Sequence, residues 1–132
     1  MPFNLSSAFG IHEQALLVRA KRAEVLAQNL ANADTPGYKA QDIDFAAALS
    51  QASSMNDGLA ATHATHIKGF NETGMEGVML QYRMPLQPSI DGNTVDSHLE
   101  KARFTENAIQ YETSLTFLDG KIKSLLRAIR GE

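Results

Sequence analysis

The chain has 132 residues, of which 43% are apolar and 20% are charged, with a formal net charge of −3 and no cysteine. This composition is typical of one globular domain, so we expect a single domain over residues 1–132. The weak negative charge gives no general attraction to nucleic acid or anionic lipid, and no run approaches the roughly 18 apolar residues of a membrane span. The absence of cysteine excludes disulfides. The opening Met1-Pro2-Phe3-Asn4 does not resemble a cleaved secretion signal.

A long helix is predicted near the amino terminus, over residues 8–32. Small and apolar residues recur there at spacings of four and three, which is the pattern of a narrow coiled-coil seam. This seam consists of Leu16, Ala20, Ala23, Ala27 and Leu30. A second stripe, with a spacing of seven, lies on the opposite face and consists of Ile11, Val18 and Val25. Since a helix that is apolar on two faces needs two neighbours, we expect both groups to pack.

Residues 29–39 predict the end of that helix followed by a fixed corner. Thr35 precedes a proline and is therefore biased toward extended backbone. Pro36 suits the second position of a β-turn, and Gly37 supplies the positive φ that a type II turn needs at the third position. The segment places no paired acid, base or nucleophile, so it does not look catalytic.

Two roles are conceivable for several polar and aromatic side chains around the corner. Asn29 and Asn32 either bind free carbonyls at the helix end or bridge to neighbouring subunits. Tyr38 and Phe45 either pack locally or anchor a neighbour. Acid–base chemistry is conceivable where carboxylates cluster, but no cleft, nucleophile or glycine loop accompanies them, so capping or intersubunit hydrogen bonding is expected. These carboxylates are Asp34, Asp42 and Asp44.

Residues 33–96 are predicted to form a turn and an irregular middle with at most a short β element. The part from 50 to 77 is rich in polar residues and glycine, and such long segments inside a domain are usually functional or flexible. A weak strand is predicted just after it, because large apolar residues alternate with others until Pro85. The alternating residues are Val78, Leu80, Tyr82 and Met84.

The carboxy-terminal helix, predicted over residues 97–130, has the clearest periodicity in the chain. Its apolar seam alternates spacings of four and three without a break, and Ser97 with Glu100 matches a capping box. Basic residues gather in the last turns, where cations complement the helix dipole. The seam consists of Phe104, Ala108, Tyr111, Leu115, Leu118, Ile122, Leu125 and Ile129.

No cofactor, metal ion, nucleic acid or small-molecule substrate is expected. His63 and His66 have H-x-x-H spacing, but nearby glycines argue against a helix and no carboxylate lies between Asp57 and Glu72 to complete a metal site. The isolated His12 and His98 are expected to be solvated. Nucleotide-binding and hydrolase motifs are absent. The basic group formed by Arg19, Lys21 and Arg22 lacks the interleaved aromatic residues of a nucleic-acid site.

The residues by themselves therefore predict an all-α interaction protein rather than an enzyme. Two long helices and a loose middle cannot enclose both sets of apolar stripes, so the free monomer should be poorly stable. Burial of these stripes between subunits would offset an ordering cost of about 1–2 kcal/mol per backbone residue. A small hydrolase is kept as an alternative of much lower weight.

Three stretches of the sequence resemble a known family. The first two are similar to the amino-terminal motif of bacterial flagellar axial proteins, and all three together most resemble rod proteins of the flagellar basal body, in particular those of the proximal rod. They are Leu26-Ala27-Gln28-Asn29-Leu30-Ala31-Asn32-Ala33-Asp34-Thr35-Pro36-Gly37-Tyr38-Lys39, Asp42-Ile43-Asp44-Phe45 and Gln87-Pro88-Ser89-Ile90-Asp91-Gly92-Asn93-Thr94-Val95-Asp96. The similarity extends from about residue 16 to residue 111 and is weak between 50 and 77.

The resemblance implies that the two terminal helices pair as an antiparallel coiled coil and stack helically into the periplasmic drive shaft, which transmits torque and encloses the export channel. It implies export by the flagellar type III apparatus without a cleaved signal. The implied partners are copies of the chain, other rod proteins, the adaptor at the export gate and the membrane-embedded MS ring. The two helix seams and the second stripe would pack subunits, and the corner residues would fix their register. Another axial component is the alternative within this class.

Overall fold

The computed structural model describes residues 9–56 and 79–131, with the backbone alone described for residues 54–56. Helices α1 (Ile11–Ala31), α2 (Phe45–Asn56) and α3 (Ser97–Arg130) alternate with strands β1 (Gln41–Ile43) and β2 (Leu80–Tyr82) in the order α1-β1-α2-β2-α3. The chain is therefore mostly helical, as expected. The predicted starts at Ala8 and Val78, and the histidine pair His63 and His66, lie outside the described residues.

Helices α1 and α3 pack against each other in antiparallel orientation. Asn29, near the end of α1, donates a hydrogen bond to Glu100, in the first turn of α3. Toward the start of α1, the rings of His12 and Phe117 lie 6.1 Å apart. The predicted pairing of the terminal helices is consistent with this arrangement, and a supercoiled coiled-coil geometry stays a prediction.

The faces that meet are rotated from the predicted seams. In α3 the buried residues are Glu100, Asn107 and Ser114, at intervals of seven. Asn107 and Ser114 come immediately before the seam residues Ala108 and Leu115, and one residue turns an α-helix by about 100°. The buried residues of α1 are Ala15, Val18, Val25, Leu26 and Asn29. The interface within the chain is consequently apolar on α1 and largely polar on α3.

The apolar core formed by the described residues is small. Val18 and Val25 of α1 form it together with Ile43 of β1 and Ala48 of α2, and the partly buried Phe45 packs against this cluster. These residues come from the first half of the chain, so α3 closes over the core mainly with its polar face. A core of this size supports the expectation that the free chain is weakly stable.

The expectation of an irregular middle is wrong for residues 45–56, which form α2. Three alanines and a leucine follow Phe45, and both residue types favour helix. The Asp44 carboxylate accepts a hydrogen bond of 3.1 Å from the amide of Ala47 and so caps the helix. The predicted strand is confirmed for Leu80–Tyr82, which pairs antiparallel with Gln41–Ile43 in a two-stranded sheet.

The amino-terminal cap of α3 differs from the predicted capping box. The cap is Asp96, whose carboxylate accepts hydrogen bonds from the amides of His98 and Leu99. Glu100 does not complete a box with Ser97, because its carboxylate points into the interface with α1. At the other end, Gly131 has a φ of 76° and its amide donates to the carbonyl of Arg127, which is the usual left-handed termination of a helix.

Candidate assembly site

The predicted corner after α1 is confirmed. Gly37 has a φ of 75°, and the amide of Tyr38 donates a 3.3 Å hydrogen bond to the carbonyl of Thr35. These are the marks of a turn with Pro36 in its second position and glycine in its third. A Cβ atom at position 37 would contact nothing within 4 Å, so the glycine is favoured there by its backbone conformation and not by lack of space for a Cβ.

Residues 89–96 run alongside the corner and bind its backbone. The amide of Gly37 donates to the carbonyl of Asp91 at 2.9 Å, and the amide of Thr94 donates to the carbonyl of Tyr38 at 3.0 Å. The amide of Ala40 donates to the Thr94 hydroxyl at 2.7 Å. Two of the stretches that carry the family resemblance are therefore one structural unit. We refer to residues 32–40 together with 89–96 as the corner.

Asn93 stabilises the end of α1 from this second segment. Its Nδ2 lies 3.1, 2.7 and 2.9 Å from the carbonyl oxygens of Asn32, Ala33 and Thr35. These carbonyls belong to the C-cap residue and to the turn that follows Ala31, the last residue of α1, so one buried amide holds the chain where it leaves the helix. The hydrogen bonds given for the Asn32 side chain are local, because its Nδ2 donates to the carbonyl of Gln28 at 2.8 Å and its Oδ1 accepts from the Thr35 hydroxyl at 3.2 Å.

Asn29 is fully buried and connects three elements. Its Nδ2 donates to the carbonyl of Gln41 at 2.7 Å and to Glu100 Oε2 at 3.0 Å, while its Oδ1 accepts from the amide of Gln41 at 3.1 Å. The Tyr38 hydroxyl lies 3.5 Å from the same Oδ1. Both hydrogens of the amide are used inside the chain. In this structure the Asn29 side chain therefore forms hydrogen bonds within its own chain and does not bridge to a neighbouring subunit.

A network of charged side chains lies between α1, the sheet and α3. Arg22 makes two bonds to the Asp42 carboxylate, Nε to Oδ1 at 2.9 Å and Nη2 to Oδ2 at 3.1 Å. Arg83 donates to Asp42 Oδ2 at 2.8 Å and also pairs with Glu100. Arg103 lies 3.9 Å from the same Asp42 oxygen. Since the elements carrying these residues are distant in sequence, the network fixes how the helices and the sheet register against one another.

The network controls the ionisation of Asp42. Burial by itself disfavours the charged carboxylate, but the hydrogen bonds from Arg22 and from the amide of Ile43, with the charges of Arg22 and Arg83, outweigh burial and lower the pKa of Asp42. The bond to Asp42 in turn raises the pKa of Arg22 against the opposing effect of burial. The folded chain therefore favours the charged form of Asp42.

Arg19 makes the next set of polar contacts along the helix pair. Its guanidinium carbon lies 4.1 Å above the centre of the Phe45 ring, and its Nε donates to the Ser114 hydroxyl at 3.1 Å. Its Nη1 donates to the side chain of Gln110, and its carbonyl accepts from Asn107 Nδ2 at 3.0 Å. The predicted basic group is thus split, because Arg19 and Arg22 point into the chain while Lys21 pairs with Glu24 at the surface.

The predicted packing residues divide between the inside and the outside of the chain. Val18 and Val25 are buried in the core of the chain itself, so they are not available to a neighbouring subunit. Exposed seam residues include Leu115, at 48%, and Ile129, at 79%. The exposed group is Ile11, Ala20, Ala27, Phe104, Ala108, Tyr111, Leu115 and Ile129, and the half-buried group is Leu16, Ala23, Leu30, Leu118, Ile122 and Leu125.

The described residues contain no cluster of three or more histidine, aspartate or glutamate side chains that could hold a metal ion. Among the described helices, none is long and apolar enough to cross a membrane. His98 is exposed and His12 is half-buried beside Phe117. Asp34 is exposed, and Asp44 serves as the cap of α2. The corner and the charged network stabilise the fold of the chain, while the seam of α3 leaves apolar surface exposed. This combination suits assembly with other chains.

Comparison with known proteins identifies the kind of assembly. Residues 10–39, which include the end of α1 and the turn, match the family of flagella basal body rod proteins. The chain is 49% identical to the flagellar basal body rod protein FlgB of Aeromonas hydrophila, with 100% of this chain and 99% of that protein covered. It is 44% identical to FlgB of Escherichia coli K12, with 96% and 95% covered. This chain belongs to the FlgB family of flagellar basal body rod proteins.

Membership of this family makes the chain a structural component of the flagellar basal body and not an enzyme. A third relative, FlgB of Salmonella typhimurium, is 40% identical with 96% of each chain covered. The family assembles with other rod components of the basal body. The predictions of a rod protein and of a structural role are confirmed.

Sequence reasoning missed most of the polar groups that hold the chain together. Arg83 and the buried carboxylate of Glu100 were not predicted as site residues, and Asn93 was noted only within a motif. One signal was available, because Glu100, Asn107 and Ser114 repeat every seven residues on a single face of α3. No comparable signal marks Arg83, since its two partners lie 41 and 17 residues away in the sequence.

Proposed function

We propose that this chain is a subunit of the proximal rod, which assembles helically into the periplasmic drive shaft, transmits motor torque and encloses the export channel. The observation that carries the proposal is the outward position of the apolar seam of α3. The chain uses the polar face of α3 against its own α1, while Phe104, Tyr111 and Leu115 stay exposed. A continuous apolar seam in water is unfavourable, so its burial by neighbours provides the driving force for assembly.

A packed helical tube is suited to torque. Packed apolar interfaces deform little, because side chains in them are as dense as in crystals. The charged network around Asp42 fixes each subunit internally, so twist applied at one end of the shaft is passed to the next subunit and is not absorbed within one chain.

The proposed partners follow from this position in the rod. They are copies of the chain, other rod proteins, the membrane-embedded MS ring and, on the way out of the cell, the adaptor at the export gate. Export through the flagellar type III apparatus without a cleaved signal is part of the same proposal. The small apolar core supports it, because a weakly stable monomer is easily kept unfolded for transport.

The experiment that tests the proposal is deletion of the gene, followed by electron microscopy of purified basal bodies and by complementation with the intact gene. We expect membrane rings without a shaft in the deletion strain, and complete rods after complementation. Complete rods in the deletion strain would overturn the proposal. The Leu118→Ala, Ile122→Ala double variant should fail to complement, while the Thr116→Ala, Ser124→Ala variant should complement fully.

A further inference from the structure

We propose that an extended segment of a different basal-body protein adds as a third strand to the free edge of β2. The inference rests on the proposed function and names a second contact surface, separate from the seam of α3. The free edge is the side of Leu80–Tyr82 that points away from β1. The partner is identified by its chemistry, which is a peptide backbone with apolar side chains at alternate positions.

The sheet has one closed edge and one open edge. Gln41 of β1 directs its backbone away from β2, because its amide and its carbonyl both bind the side chain of Asn29. Opposite residues in an antiparallel pair alternate between bonding to each other and pointing apart. Tyr82, which lies opposite Gln41, therefore points its own amide and carbonyl away from β1, and so does Leu80. No described residue forms a hydrogen bond with these four groups.

The side chains along this edge are apolar and exposed. Leu80 and Tyr82 lie on one face of the strand, and Met84 continues their alternation. Tyr82 is 70% exposed and Met84 is 93% exposed. Natural edge strands are commonly protected by charged side chains, by proline or by a covering element, but the three residues of β2 include neither charge nor proline and all three are exposed. Free backbone groups beside apolar side chains are the features that an added strand recognises.

Charge beside the edge does not select the partner. The hollow along β2 is lined by two carboxylates and two guanidinium groups, which belong to Asp42, Asp44, Arg83 and Arg103. Lys101, which is exposed two residues before Arg103, adds a single positive charge, and a single exposed charge contributes little. Recognition therefore depends on the backbone of β2 and on its apolar side chains.

The described residues of a second copy do not supply the added strand. Both sides of β1 are occupied, one by β2 and the other by Asn29, so β2 is the only described strand with a free edge. Pairing of two β2 edges is isologous and closes a two-fold dimer. Copies that all point the same way along a shaft are not related by such a two-fold axis. The added strand therefore comes from a different protein.

Photo-cross-linking in basal bodies tests this contact. p-Benzoylphenylalanine takes the place of Met84 in a tagged chain, in cells that also carry the intact gene, so that the rods are complete. We expect a product that joins the tagged chain to a different protein, with the linked site in a segment of alternating apolar residues. The control is the same probe in place of Thr113, which is exposed in the middle of α3. An equal yield of the same product from position 113 would refute the contact at the sheet edge.

Two variants of Tyr82 distinguish strand addition from contact of side chains alone. Tyr82→Ala removes the side chain, whereas Tyr82→Pro also removes the outward amide. Both leave the amides that bond to β1 in place, so their urea unfolding midpoints should agree. We expect the cross-linking yield per incorporated chain to be several-fold lower for Tyr82→Pro than for Tyr82→Ala. Equal yields would overturn the inference, because side chains alone would then make the contact.

Leu80→Lys tests the same edge with the backbone intact, so the inference stays testable if the proline variant does not fold. This variant should lower the cross-linking yield several-fold, because a lysine on an edge strand opposes strand addition. Ile109→Lys, at another exposed apolar position, in α3, is the matched control and should keep the original yield. An unchanged yield for Leu80→Lys would contradict the inference.

Two further results would overturn the inference. A cross-link from position 84 to residues of this chain, in the same copy or in another, would assign the edge to that segment. Absence of any product in cells with complete rods would mean that the edge stays free. Neither result affects the proposed function, because its failure requires complete rods in the deletion strain.

Discussion

The corner and the outward face of α3 are stabilised in opposite ways. In the corner, backbone groups and buried amides are paired within the chain, as Asn93 shows with its three carbonyl contacts. On the outward face of α3, Tyr111 and Leu115 are exposed. The corner is complete in the single molecule, whereas the outward face of α3 is completed by neighbours.

This difference explains why the helix pair inside the chain uses polar contacts. Polar and charged contacts between helices fix register at some cost in stability, because desolvation offsets much of their attraction. Glu100, Asn107 and Ser114 therefore set the alignment of α3 on α1. The apolar seam supplies binding energy that is gained only when subunits assemble.

The largest expected effect is on the outward face. Leu118→Ala with Ile122→Ala should abolish rod assembly, because each truncation costs about 2–5 kcal/mol at a site that assembly buries. The free protein should unfold at nearly the same denaturant concentration as wild type, since both residues are only half-buried in it. Electron microscopy of basal bodies and urea unfolding of the purified chain measure the two quantities. An assembled rod with this variant would contradict the proposal that neighbouring subunits bury the outward face of α3.

The second-largest effect is expected from the buried polar contacts that align α3 on α1. Glu100→Ala should lower the free energy of unfolding by about 3–5 kcal/mol, because it leaves the buried amide of Asn29 and the guanidinium of Arg83 without their shared partner. The free energy of unfolding is measured by circular dichroism during urea unfolding. The matched control is Glu112→Ala, an exposed carboxylate on the same helix. Equal unfolding midpoints for the two variants would mean that the network contributes nothing.

The corner offers a sharper comparison between two glycines. Gly37→Val should destabilise the chain by about 1–2 kcal/mol or more, since valine is strained at a φ of 75°. Gly120→Ala, inside α3, should stabilise the free chain by about 0.5–1 kcal/mol. A Cβ would meet nothing within 4 Å at either position, so the opposite signs are expected from the backbone conformations of the two glycines. Combined with Pro36→Ala, Gly37→Val should also disturb motility, and full motility would show that the corner is not needed.

The smallest effect concerns pH. Because the pKa of Asp42 is lower in the folded chain than in the unfolded chain, the folded state binds fewer protons in acid. Its contribution to stability is present above about pH 4 and is lost as the pH falls through the folded pKa. As the pH falls through this range, the free energy of unfolding of the wild type, measured in urea, should therefore decrease more steeply than that of Asp42→Asn. A wild-type pH dependence in Asp42→Asn would contradict this assignment.

Local signals in the sequence predicted the helices and the strand, but not which face of each helix packs against the rest of the chain. The turn at Gly37, the short strand Leu80–Tyr82 and the long α3 follow from turn chemistry and periodicity. The face of α3 that meets α1 could not be predicted, because the apolar period marks the face with the strongest drive for burial, and that face is outward in the single chain. Helix α2 was missed because its serine and glycine surroundings masked its alanines.

The polar contacts were also beyond sequence reasoning, for a physical reason. Asn29 bonds to Gln41 and Glu100, which are 12 and 71 residues away, and a hydrogen bond between distant residues leaves no periodic trace. Amide and carboxylate residues near a helix end suit both capping and intersubunit bridging. Only the fold decides between these roles, and it assigns Asn29 to the inside.

Thiol labelling of Leu115→Cys, in the free protein and in isolated basal bodies, tests the central claim most directly. The variant carries a single thiol, because the chain has no cysteine, and Leu26→Cys, at a fully buried position, serves as the control that is protected in both. We predict rapid labelling of Leu115→Cys in the free protein and strong protection in the rod. Equal labelling in the two states would mean that the seam of α3 faces water in the rod as well, and the account would fail.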